Sequence, residues 1–304
     1  MNFMTRRRLL LFSFFGLAGL VLVGAAPSAT GVASRVEHRF AENDGLRIHY
    51  VAQGEGPLVV LIHGIPEFWY SWKAQIGPLA KQHRVVALDQ RGFNRSDAPA
   101  DRAGYSVEHL VEDVAAVIRQ EGYEWATIIG HDSGAFIAWH FAAMHPEMTE
   151  KLVAMSVPHP NAFVEELANN PAQHEAGAYA RQMQQEDAKT AFRVGPIGVL
   201  RDPLGWPLHL AADWRTDHAA IVAFYQVNYP RAPYTVDAGL AGKIQAPTLV
   251  IHGERDQFLL ASGHEGNADW LDPAPQTHFF AAGHFVHQEA ADDVNRVLLD
   301  WLAE

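Results

Sequence analysis

Five short apolar runs restrict the fold of this chain more than any other feature of it. Leu58-Val59-Val60-Leu61-Ile62 stands between Gly56-Pro57 and Gly64. Arg84–Leu88, Ala126–Ile129, Leu152–Met155 and Thr248–Ile251 are built in the same way. A strand with one wet face alternates apolar and polar residues. A run without alternation reads as a strand covered on both faces, the condition of a parallel sheet. Between the runs lie helical patterns. Leu110, Val111, Val114, Val117 and Ile118 recur at helical spacing behind Ser106, a fitting N-cap. Val294, Val297, Leu298, Trp301 and Leu302 do the same near the C-terminus. Alternating strands and helices predict an α/β fold, a mostly parallel sheet flanked by helices. Two more polar segments, Val36–Phe40 and Leu46–Val51, flank Asp44-Gly45 and predict a hairpin at the start.

The alternation lapses over residues 161–241, where polar, aromatic and helix-forming segments replace strand-like runs. A helical insertion between two sheet strands would cover the end of the sheet where α/β folds hold ligands. We therefore expect a core of residues 34–160 and 242–304 and a helical cap of residues 161–241. The chain length of 304 residues suits one large domain with such an insertion.

Residues 1–33 are a different object. Thr5-Arg6-Arg7-Arg8-Leu9-Leu10 leads into an apolar run ending near Ala26, and small residues follow through Ala33. This is the layout of an export signal, and the arginine pair before two leucines fits the twin-arginine type. The expected destination is the bacterial periplasm or the medium. A retained membrane anchor is the other reading, since the apolar run comes close to bilayer length. Without that anchor, no membrane partner is expected. The formal charge of −12 argues against nucleic-acid binding, whose footprint is basic. With no cysteine there is no disulfide frame, thiolate metal site or cysteine nucleophile. His284-x-x-His287 lacks further ligands at supporting spacing, and no His-Glu-x-x-His occurs, so no metal or other cofactor is expected.

Chemistry is concentrated at Ile129-Gly130-His131-Asp132-Ser133-Gly134-Ala135, which joins a buried strand to a helical stretch. A nucleophile elbow is a sharp strand–turn–helix corner that needs small residues two before and two after its nucleophile. Gly130 and Gly134 satisfy this around Asp132. His131 and Ala135 would have to satisfy it around Ser133. The glycines select Asp132 and leave Ser133 as the following residue, whose N–H would help form an oxyanion hole. A plain Gly-Asp turn capping the next helix is the structural alternative. Two later features weigh against that alternative. Asp256, with Glu254 as rival, follows the strand ending at Ile251. His284, with His287 as rival, sits in the turn after an apolar strand. The order nucleophile, acid, histidine is that of hydrolases built on this corner. A catalytic histidine needs a buried carboxylate to orient it, and Asp256 is well placed for that.

With these motifs the sequence resembles the α/β-hydrolase superfamily and, within it, the epoxide hydrolases, from about Val36 to the C-terminus. The resemblance is carried by His63-Gly64-Ile65-Pro66-Glu67-Phe68-Trp69, Asp89-Gln90-Arg91-Gly92, Gly130–Gly134, Val157-Pro158-His159-Pro160 and Ala282-Gly283-His284-Phe285. It implies that the Ile65 amide supplies the second oxyanion-hole donor. It also implies two tyrosines from the cap above the nucleophile. Ala178-Tyr179-Ala180-Arg181 and Phe224-Tyr225-Gln226-Val227-Asn228-Tyr229-Pro230-Arg231 match those segments, which carries the role to Tyr179 and Tyr225, with Tyr229 and Tyr234 as rivals. One departure is Ser133, where many members have tryptophan; it implies a roomier pocket floor.

A carboxylate nucleophile attacks a saturated electrophilic carbon and becomes an ester. The expected substrate is then an epoxide or an alkyl halide rather than an ordinary ester, and the two tyrosine segments implied by the resemblance favour a small hydrophobic epoxide, opened to a vicinal diol. A haloalkane or haloacid dehalogenase would use the same aspartate, histidine and acid. It lacks support here, because no indole directly follows Asp132 and no arginine lies between Ser133 and Trp139. A serine esterase using Ser133 is a further alternative. A non-catalytic ligand-binding domain would have no use for all three groups.

Overall fold

The computed structural model describes residues 31–185, 202–236, 240 and 242–304. Residues 1–30 of the expected export segment, and residue 241 at the expected cap boundary, lie outside them. No helix among the described residues is long and apolar enough to cross a membrane.

Eight strands form one sheet in the order β1-β2-β4-β3-β5-β6-β7-β8. They are β1 Glu37–Asn43, β2 Leu46–Gln53, β3 Leu58–Ile62, β4 Arg84–Leu88, β5 Ala126–His131, β6 Thr149–Met155, β7 Thr248–Gly253 and β8 Gln276–Phe280. Pairing is antiparallel for β1 with β2 and β2 with β4, and parallel from β4 onward. The unbroken apolar runs occupy the interior: every residue of β3, β5 and β7 is buried. The expected hairpin forms. Asn43 pairs with Leu46, and the two loop residues Asp44 and Gly45 both have positive φ, 52° and 76°. That conformation matches the twist of the strands, and an Asp-Gly pair adopts it readily. The strand before His284 is less apolar than the sequence reading assumed. As the far edge of the sheet, β8 has no buried residue; each is half-buried or exposed.

Helices cover both faces. On one face lie α2 (Val107–Gln120) and α3 (Ser133–Met144), the latter almost wholly buried. On the other, α1 (Lys73–Leu79) packs with the C-terminal helix Ala291–Leu302 through Ile76, Leu79, Val294, Leu298 and Trp301. Ser106 does stand at the N-cap of α2 but makes no side-chain capping bond there. Between β6 and β7 the described elements are helical: Pro160–Asn169, Pro171–Ala176, Ala178–Met183, Trp206–Arg215 and His218–Asn228.

A buried ion pair fastens the loop after β4 to α2. Arg91 is 1% exposed and Asp113 also 1%. The guanidinium donates through Nε and Nη2 to the two carboxylate oxygens, both at 2.7 Å, and through Nη2 to the His109 carbonyl at 3.1 Å. Such a fork-on-fork contact fixes orientation as well as charge. Removing one partner strands a buried charge. Asp113→Ala is expected to lower unfolding free energy by about 3–5 kcal/mol, read as a shifted midpoint in urea denaturation with an unchanged slope.

Candidate active site

Ile65, Asp132, Asp256 and His284, named from sequence, lie with Gln90 and Ser156 just beyond the C-terminal ends of the parallel strands. Ile65 follows β3, Gln90 follows β4, Asp132 follows β5, Ser156 follows β6, Asp256 follows β7 and His284 follows β8. This is where an α/β sheet leaves a crevice, because each chain turns away from the strand end to enter its next helix.

Asp132 sits between β5 and α3 with φ 51° and ψ −123°. This is a strained backbone for a residue with a Cβ. The corner is tight enough to admit only glycine beside it. A Cβ on Gly130 would meet the Gly134 carbonyl oxygen at 2.1 Å, and one on Gly134 would meet that of Ile62 at 2.1 Å. The first turn of α3 closes on the same residue, with the amides of Ala135 and Phe136 donating to the Asp132 carbonyl at 2.9 and 3.1 Å.

The Asp132 carboxylate is held at both oxygens. The Ile65 amide donates to Oδ1 at 2.8 Å, and His284 Nε2 lies 3.2 Å from Oδ2. On the far side of the ring, His284 Nδ1 contacts Asp256 Oδ2 at 2.6 Å. The other oxygen of Asp256 accepts from the amides of Phe258 and Leu259 at 2.8 and 3.1 Å. Asp256 is buried whereas its rival Glu254 is exposed. The rival His287 is packed against the Trp72 ring at 4.5 Å, with its Nε2 directed at Glu67 from 4.0 Å. Asp132, His284 and Asp256 therefore form the continuous chain, and neither rival enters it.

The charges of this chain support one another. Burial disfavours the cationic ring of His284, yet the charges and hydrogen bonds of Asp256 and Asp132 outweigh it and raise the ring to about 10. Burial likewise opposes ionisation of Asp132 and Asp256, and His284 overcomes it, holding both below the usual carboxylate range.

A second layer, whose role the motifs did not reveal, positions the histidine. The His284 carbonyl accepts from Ser156 Oγ at 2.7 Å and from His131 Nε2 at 2.9 Å. His131 Nδ1 meets Glu67 Oε2 at 3.1 Å. Both ring nitrogens thus face oxygen atoms. Glu67 is held as an anion: burial works against its charge, but the bond and charge of His131 hold it well below the usual range. Only adjacency to Asp132 and to the His-Gly element marked these residues in the sequence. Glu67, His131 and His287 are also the one grouping of metal-ligand type among the described residues, with ligand atoms within 4.8 Å of one another. A metal there would have to displace the contact between His131 and Glu67.

Above Asp132 lies a cavity of about 430 Å³, a volume suited to a small molecule. Its lining includes Asp132, Ser133, Phe136, Phe224, Tyr179 and Tyr225. The Tyr179 and Tyr225 rings meet edge-on, their centroids 5.9 Å apart. Burial first, and the Asp132 charge among the further causes, push both phenols up, so they stay neutral and keep their protons. Tyr229 lines the same cavity, whereas Tyr234 packs edge-on against His174.

Comparison with known proteins agrees with this geometry. A family model described as the alpha/beta hydrolase fold matches residues 57–291. Epoxide hydrolase B of Mycobacterium tuberculosis is 45% identical, over 87% of this chain and 98% of its own length. Epoxide hydrolase 4 of Homo sapiens is 32% identical, over 86% of this chain and 77% of its own. The crystal structure of a Bacillus megaterium epoxide hydrolase in complex with an inhibitor superimposes with a TM-score of 0.80 at 27% identity, covering 88% of this chain and 100% of that one. The chain is an enzyme of the α/β-hydrolase fold and belongs, within it, to the epoxide hydrolase family.

Proposed function

We propose that the protein opens small hydrophobic epoxides to vicinal diols through a covalent ester on Asp132. The observation that carries this reading is a carboxylate, rather than a hydroxyl, at the strained corner, facing two phenols, Tyr225 buried and Tyr179 half-buried, across one cavity.

Asp132 Oδ2 attacks a ring carbon while Tyr179 and Tyr225 donate to the epoxide oxygen. One of them protonates the alkoxide as the carbon–oxygen bond breaks. The neutral state of both phenols, maintained by burial, makes them donors rather than anions facing an anion. The product of this step is an alkyl ester, and it changes the electrostatics of His284. One of the two carboxylates that had raised the ring is now uncharged, while the burial that disfavours its cation remains. The ring now holds its proton less tightly and gives it up to the phenolate left by the first step, and as a neutral base oriented by Asp256 it takes a proton from water. That water attacks the ester carbonyl carbon. The oxygen held by Ile65, with the adjacent Ser133 amide, becomes the oxyanion. Collapse returns the carboxylate and releases the diol, which carries the former Oδ2. No step calls on a metal or cofactor.

The helices between β6 and β7 serve in this reading as the cap, residues 161–241, over a core of residues 34–160 and 242–304. Residues 1–33 serve as a twin-arginine-type export signal to the periplasm or medium.

A single turnover in oxygen-18 water with enzyme in excess tests the ester. The first diol should be unlabelled and Asp132 should carry one heavy oxygen; label in the first diol and none in the peptide would refute covalent catalysis. Halide release from chloroacetate or a chloroalkane, without diol from any epoxide, would assign the same three residues to dehalogenation instead. In Asp132→Asn, which mimics the loss of charge on esterification, the His284 ring should titrate well below its wild-type position near 10; nuclear magnetic resonance of the ring protons reads the shift, and an unmoved titration would contradict the coupling. Tyr179→Phe and Tyr225→Phe should each slow ester formation on the order of 10²-fold in stopped-flow measurements, with ester hydrolysis little changed.

A further inference from the structure

Ser133 is 4% exposed, and it lines the cavity next to Asp132. Its amide belongs to the reaction just described, but its side chain does not. The orientation of that side chain is set from behind by Gln90. The Gln90 amide nitrogen donates to the His63 carbonyl and, at 3.1 Å, to Ser133 Oγ. The His63 contact fixes which end of the Gln90 amide is the nitrogen, because a carbonyl accepts only from a donor. Ser133 Oγ is therefore an acceptor toward Gln90, and its own hydrogen is left over. Among the described residues it donates no hydrogen bond.

A hydroxyl on a cavity-lining residue with its proton unused discriminates between ligands. A ligand that offers an acceptor satisfies it, and one that does not leaves a buried donor unpaired. Ser133 follows Asp132 directly and lines the same cavity, which puts the matching acceptor on the part of the ligand beside the carbon that Asp132 attacks. We propose that Ser133 Oγ is a substrate subsite. It selects epoxides that carry an ether or hydroxyl oxygen on the carbon next to the three-membered ring, and Gln90 is the positioning residue that aims it. The inference rests on the epoxide-opening reading and adds to it the class of epoxide.

Two probes of nearly equal shape separate the idea from general reactivity: phenyl glycidyl ether and its carbon analogue 4-phenyl-1,2-epoxybutane. The quantity to compare is the ratio of kcat/KM for the ether to that for the carbon analogue, in the wild type and in Ser133→Ala. Intrinsic differences between the probes cancel between the two proteins. The ratio should be about tenfold higher in the wild type, the value of one neutral hydrogen bond, with circular dichroism showing the variant folded. Equal ratios in the two proteins, with diol formed from both probes, would overturn the subsite and leave the epoxide reading standing. No diol from either probe in the wild type would overturn both.

Discussion

The site depends on one backbone corner. Asp132 holds a positive φ that few residues other than glycine adopt, at the exit of a strand buried on both faces. Nothing local repays that strain. It persists because β5 is clamped between β3 and β6, because α3 closes its first turn on the Asp132 carbonyl, and because Gly130 and Gly134 remove the two side chains that would collide with backbone oxygens. The result lifts a short carboxylate out of the strand end with both oxygens accessible to partners. Relax the corner, and neither the Ile65 amide nor the His284 ring has a carboxylate to meet.

Electrostatics turns this geometry into a cycle. In the resting site His284 lies between two carboxylates, and the three groups stabilise one another's charges against burial. In the proposed mechanism the reaction itself removes one of those charges and converts a tightly held proton into an available base. The His131–Glu67 pair behind Asp132 contributes in another way. Together with Ser156 it grips the carbonyl of His284, so the ring can lose one partner without losing its position. In the proposed reading the cavity wall adds neutral donors, two phenols and one serine hydroxyl, which suit an uncharged oxygen-bearing ligand better than an anion.

Much of the arrangement was legible in the amino-acid order. Unbroken apolar runs announce strands covered on both sides, since a solvated face would require polar residues at every second position. The Asp44-Gly45 turn announces the hairpin through the φ values that only such residues tolerate well. Glycines at two positions on either side of Asp132, and not of Ser133, identify the corner residue by steric need alone. The ordered appearance of Asp256 and His284 after later strands completes the triad. The C-terminal edge was less legible: β8 carries few apolar residues because it covers little, and its pattern is correspondingly weak.

Sequence alone thus determined the architecture, the corner residue and the type of groups available for chemistry, because these depend on local sterics and on periodic burial. Tertiary structure decided which of several similar residues act together. Asp256 is separated from Glu254 by burial, and His284 from His287 by its contact with the Asp132 carboxylate, 152 positions away in the chain. The roles of His131, Glu67 and Gln90 were likewise decided only by folding. Each is a polar side chain whose function is the partner it finds across the sheet, and no spacing along the chain encodes that partner.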